Sequence, residues 1–186
     1  MRKAFTLIEL LAVIAIIGIL TAILFPTLTG IQTSVKKTAS RARFNQWAAA
    51  IEAFKNEYGY YPWTHGSDVD VTLQLNSTGF GATFIETLSG RGANGEPVAV
   101  GGNRRALAFH RFAASEFFHD AVKDECVPHR LVDAFNNEAI RMTLDADGDG
   151  RVTAGMDRER IHAGVAFWTL EAPPHIGPSM TVKSWE

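Results

Sequence analysis

The first pattern along the chain is a continuous apolar run. From Phe5 to Phe25, FTLIELLAVIAIIGILTAILF, only Thr6, Glu9, Gly18 and Thr21 interrupt it. At a rise of 1.5 Å per residue the run makes a helix of about 30 Å, the thickness of a bilayer's hydrocarbon. Pro26 follows, and helices of this kind tolerate proline. Beyond it, Phe44, Trp47, Ile51, Phe54 and Tyr58 recur at steps of three and four, which is one buried stripe on a helix. Lys36, Lys37, Arg41, Arg43, Glu52 and Lys55 are left for the other faces. The simplest prediction is one helix from Phe5 to about Glu57. Its first part (5–25) lies in lipid, and its amphipathic continuation (26–57) lies on a globular domain (58–186). Gly59 stops the helix and Pro62 forbids its return.

Past Tyr58 the pattern shortens. Thr64 to Gly81 is polar and glycine-containing and reads as loop. Thr83 to Ser89 suits a short helix. Gly90 to Gly95 spells G-x-G-x-x-G, but no strand precedes it and Glu96-Pro97 follows it, so it reads as a loop and not a dinucleotide site. Arg104 to Phe118 carries apolar residues on both alternating and helical spacings and stays unassigned. Ile140 to Leu144 alternates as a strand, and Gly164 to Leu170 is a second one.

Composition adds three constraints. The 186 residues carry a net charge of −2, so nothing suggests bulk attraction to nucleic acid. The single cysteine, Cys126, excludes an intrachain disulfide and is expected as a small packing residue. Arg2 and Lys3 favour an inside N-terminus, but Lys36, Lys37, Arg41 and Arg43 blur that asymmetry.

Three readings of the N-terminus compete. A secretory signal peptide needs a small-residue cleavage site after its apolar core, and Phe25-Pro26-Thr27 is not one. A plain anchor fits the length but gives no reason for Glu9, a carboxylate that costs about 3 kcal/mol in lipid. The third reading accounts for every residue. A basic leader, the small Ala4 and then Phe5-Thr6-Leu7-Ile8-Glu9 resemble the class III signal of type IV pilins and type II secretion pseudopilins.

That resemblance implies cleavage by a prepilin peptidase between Ala4 and Phe5, with residues 1–4 as leader, and N-methylation of Phe5. It implies that Glu9 is the buried glutamate that meets the terminal amine of another subunit during filament assembly. Cleavage creates a cation at Phe5, and a buried carboxylate and a buried ammonium each need a counter-charge. Phe5 and Glu9 also lie one helical turn apart, so pairing within one subunit is the alternative. Ala4 departs from the glycine usual before the cut. Tyr58-Gly59-Tyr60-Tyr61-Pro62 resembles the family's Y-G-x-Y-P segment, and Thr181 to Trp185 resembles a terminal strand ending in S-W. Asp133, Phe135 and Asn137 partly match a D-P-W-G-N-P-Y turn, in which Asn136 can take the left-handed conformation of the lost glycine. The implied fold is α+β and type IV pilin-like: a long N-terminal helix packed on a small antiparallel sheet.

One cluster carries site chemistry. Asp145-Ala146-Asp147-Gly148-Asp149-Gly150-Arg151-Val152-Thr153 has the first two-thirds of a calcium loop. Asp145, Asp147 and Asp149 supply carboxylates, Arg151 its backbone carbonyl, and Thr153 a hydroxyl or water. The twelfth position is Met156, with Asp157 one residue late, so the loop is not a complete EF-hand. An acidic hairpin turn is the alternative. Major pseudopilins resemble this chain in having a structural calcium site near the C-terminal strands.

No G-x-S-x-G or H-E-x-x-H is present, and no enzyme activity is expected. The expected function is a structural subunit of a pseudopilus that grows from the inner membrane and drives export by a type II secretion system. Expected partners are prepilin peptidase, further copies of the chain, minor pseudopilins and an inner-membrane assembly platform. The C-terminal domain is expected in the periplasm. A type IV pilus subunit and a membrane-anchored calcium-binding module that does not polymerise are the alternatives.

Overall fold

In the computed structural model the described residues are 7–64, 66–77, 79–120, 122–170 and 181–185, with the side chains of 23–29 outside that set. The chain forms two units, Met1–Lys36 and Lys37–Glu186. In chain order the elements are α1 (Leu7–Tyr58), β1 (Val71–Gln74), α2 (Phe80–Ser89), a 3-10 turn (Ala114–Glu116), β2 (Phe117–Asp120), β3 (Glu125–Leu131), β4 (Ile140–Leu144), β5 (Val152–Ala154), β6 (Glu159–Ile161) and β7 (Val165–Thr169).

The first unit is the N-terminal stretch of α1. Ten large apolar residues between Leu7 and Leu20 are 46–82% exposed. Successive residues turn by about 100°, so these positions face every direction around the axis. Thr21 hides its hydroxyl on the Ile17 carbonyl at 2.8 Å. Among the described residues no helix is long and apolar enough to cross a membrane. The predicted span starts at Phe5 and Thr6 and ends on the side chains of 23–25, all outside the described set.

In the second unit, the later part of α1 is amphipathic as its spacing predicts. Phe44, Trp47, Ile51 and Phe54 are wholly buried, each worth about 1.5–3 kcal/mol of burial. Phe44, Trp47 and Ile51 share a core with Met142, Leu144 and Phe167 from a three-stranded antiparallel sheet in the order β1-β4-β7, while Phe54 packs against Tyr58 and Phe109. Trp47 is central. Its ring lies 5.7 Å from Phe44 and Phe167 and 5.8 Å from Phe84, and its Nε1 donates to Glu116 at 2.5 Å. The β5-β6 hairpin forms a second cluster, in which Val152, Ala154 and Ile161 pack with Ala166 and Trp168 of β7. All five residues of β7 are therefore buried.

The helix ends where expected: Gly59 has φ 81° and donates to the Lys55 carbonyl. Asn136 takes φ 63°, and Asp133 Oδ1 accepts from the N–H groups of Phe135 and Asn137 at 2.8 and 2.9 Å. Gly90 caps α2 with φ 65°, where a Cβ would meet the Ala106 carbonyl at 2.4 Å. The G-x-G-x-x-G segment thus closes a helix and does not open one.

Three expectations are corrected. The segment 64–81 contains β1 and the start of α2. Val71-Thr72-Leu73-Gln74 is too short for its alternation to stand out, and pairing with β4 creates the strand. Among the described residues Thr181 to Trp185 forms no strand, only a bridge between Lys183 and Trp168. Cys126 is exposed, not packed, because it sits on the two-stranded β2-β3 sheet.

Candidate functional site

The processing residues Ala4 and Phe5 lie outside the described residues. Glu9 occupies the first turn of α1, where a carboxylate meets the positive end of the helix dipole. Around and beyond it the exposed residues are apolar on all faces. A helix that is hydrophobic all round needs lipid or other apolar helices to cover it.

The second feature is acidic. β4 runs out of the core into Asp145, which is 3% exposed. Its Oδ1 accepts from Gly148 N–H at 2.8 Å and its Oδ2 from Gly150 N–H at 3.0 Å. Both glycines have φ near +76°, which lets the backbone curl round the carboxylate. Asp147 Oδ1 accepts from Asp149 N–H at 3.1 Å.

The structure regroups the predicted ligands. Asp145 and Asp147 come together with Asp70, one carboxylate oxygen from each lying within 4.8 Å of the others. Asp149 instead accepts from Arg151 N–H at 2.8 Å and pairs with Arg160 at 2.9 Å. Asp157 pairs with Lys183 at 3.4 Å. Thr153 enters through its backbone, donating to Asp70 Oδ2 at 3.0 Å. Sequence spacing did not point to Asp70, because it reaches the loop through strand pairing.

The three carboxylates fit a hard cation. Calcium–oxygen distances of about 2.3–2.6 Å place ligand oxygens of one ion at most about 5 Å apart. Asp70 Oδ1 is buried and has no hydrogen-bond partner among the described residues. Burial pushes the Asp70 carboxyl up, the Thr153 N–H opposes this, and the charges of Asp147, Asp145 and Asp149 push it further up. A cation among these oxygens would remove that repulsion.

A cavity of about 720 Å³ adjoins the loop, lined by Lys55, Tyr60, Trp63, Arg104 and Asp145 among others. Tyr61 in its wall is buried and donates to Glu52 at 2.7 Å, and burial together with Glu52 holds its hydroxyl far above the usual tyrosine range. Trp63 stacks on Phe84 at 5.3 Å. The aromatic segment after α1 is thus mainly packing.

Compared with known proteins, residues 1–25 match the family model described as the prokaryotic N-terminal methylation motif. This is the signature of prepilin-type signals in type IV pilin-like proteins. No curated protein and no solved structure matches the chain.

Proposed function

We propose that a chain with this signal, followed by a helix apolar on every face and an α+β domain, is a pseudopilus subunit of a type II secretion system. The observation that carries the reading is the methylation motif over residues 1–25 leading into the exposed apolar part of α1. In this reading prepilin peptidase removes residues 1–4 and Phe5 becomes the methylated terminus. The stretch 5–25 holds the subunit in the inner membrane, with the domain in the periplasm, until assembly moves it into a filament. There, neighbouring helices replace lipid around the same residues. Glu9 meets the terminal amine of an adjacent copy, so each buried charge finds its counter-charge. The work is mechanical, with minor pseudopilins and an assembly platform as partners.

The same motif serves type IV pili. The secretion reading is preferred because the Tyr58–Pro62 segment and an acidic loop between the C-terminal strands occur here together. In it, Asp70, Asp145 and Asp147 hold calcium, which ties the β4-β5 loop to the start of β1. The ion's contribution is charge neutralisation and loop order.

Intact mass and N-terminal sequencing of protein from the membrane fraction test the reading. A chain starting at N-methylated Phe5 is expected. A chain still starting at Met1 in a host with active prepilin peptidase would overturn it.

A further inference from the structure

We infer that Arg141 and Trp168 form a binding site for a single oxyanion on the sheet face turned away from the α1 core. The two residues are register partners in the antiparallel β4-β7 ladder. Directly opposed residues project from the same face, with Cβ atoms about 4.5–5.5 Å apart. Arg141 and Thr143 of β4 alternate with Ile140, Met142 and Leu144, which face the core shared with α1.

Trp168 is 3% exposed, and its Nε1 is buried with no hydrogen-bond partner among the described residues. Among the described residues Arg141 Nε likewise is buried and has no partner. An indole and a guanidinium are donors only, so neither can satisfy the other. The missing partner must be an acceptor. Arginine is always charged, and its planar fork suits the two oxygens of a carboxylate or phosphate, so an anion satisfies the pair better than a water does.

The surroundings agree. Across the sheet the row reads Gln74, Arg141, Trp168, with Lys183 bridged to Trp168. Among the described residues no carboxylate stands in that row. Glu159 and Asp157 are already engaged: Glu159 accepts from Trp185 Nε1 at 3.0 Å, and both pair with Lys183. The oxyanion has two possible sources, a free anion or a carboxylate of a second copy of the chain.

The test uses the full chain, labelled with 15N in detergent micelles, and follows its four tryptophan indole N–H resonances. Trp168→Phe assigns the signal. Titration with acetate and then phosphate is expected to move the Trp168 resonance downfield and to saturate. Arg141→Gln is expected to weaken that response about tenfold or more. If Arg141→Gln does not fold, Arg141→Lys, which keeps the charge but loses the Nε–H fork, makes the same comparison. A Trp168 signal that depends on protein concentration without added anion would support the second copy as the source. If acetate, phosphate and protein concentration all leave the resonance in place, the site holds only water and the inference is overturned.

Discussion

Asp70 stands beside Asp145 because Val71 and Leu144 are register partners in the β1-β4 ladder. The pairing carries one strand's entry and the other strand's exit to the same edge. It thereby completes a three-carboxylate cluster that neither segment contains alone. With a cation the cluster is a clasp between β1 and the β4-β5 loop, and without one it is a repulsion. Calcium at a hundred times its dissociation constant should stabilise the fold by about 2.7 kcal/mol. For a domain of this size that corresponds to a melting shift of roughly 5–10 °C. Calorimetry with calcium and then with chelator should show the shift in the unmodified chain and lose it in Asp70→Asn and in Asp147→Asn. Equal melting with and without chelator would remove calcium from the account.

The same cluster sets a pH dependence. The folded-state pKa of Asp70 is raised above its unfolded value by burial and by its acidic neighbours. The folded state therefore holds the proton more tightly, and stability falls as pH rises from the unfolded value of about 3.9 through the folded one. In chelator, the stability difference between Asp70→Asn and the unmodified chain should widen in the mutant's favour over that window. With calcium present the difference should reverse, because the ion needs the ionised carboxylate. A difference that is flat with pH in chelator would contradict this account.

How much of this was legible in sequence follows from the range of each interaction. The end of α1 at Tyr58, the strands at Ile140–Leu144 and Val165–Thr169, and the stripe of Phe44, Trp47, Ile51 and Phe54 were readable. Each rests on periodicity or on a local stop such as Gly59. β1 and the β5-β6 hairpin were not readable, because runs of three or four residues carry no period and exist only through pairing partners. The acidic loop was visible, but its third carboxylate was not. Asp149 matches the alternating pattern and Asp157 falls one residue late, yet Asp149 pairs with Arg160 and Asp157 with Lys183. The oxyanion pair was hidden for the same reason, since Arg141 and Trp168 meet only across the ladder.

Glu116 offers a check on the core. It is 5% exposed and accepts from Trp47 Nε1, from Ala113 N–H at 2.9 Å and from His110 at 3.1 Å. Burial pushes its carboxyl up, but the hydrogen bonds from His110, Ala113 and Trp47 outweigh it and hold the pKa below the ordinary glutamate value. It therefore contributes stability above its unfolded pKa and loses it as pH falls through the folded one. Glu116→Ala leaves the Trp47 Nε1–H buried and unpaired, at about 1–3 kcal/mol, while the exposed Ala113 N–H turns to water. Urea denaturation at neutral pH should show a loss of roughly 1–3 kcal/mol, shrinking toward acid pH. A loss under 1 kcal/mol would mean that water replaces the carboxylate at little cost.

Glu9 separates a filament subunit from a merely anchored domain. It lies in the first turn of a stretch whose apolar residues are exposed on every face. For an isolated subunit, Glu9→Ala removes a carboxylate that costs about 3 kcal/mol in lipid, so the variant should insert at least as well as the unmodified chain. For a filament, it removes the counter-charge of the neighbouring terminal amine and leaves that cation buried, a defect of about 3–5 kcal/mol per contact. Membrane fractionation should recover the variant in full, while shearing and electron microscopy should find filaments absent. Glu9→Asp keeps the charge on a shorter arm and should restore a minority of filaments. If Glu9→Ala polymerises normally, the carboxylate does not govern assembly. The unpolymerised, calcium-binding anchored domain would then be the better description of the chain.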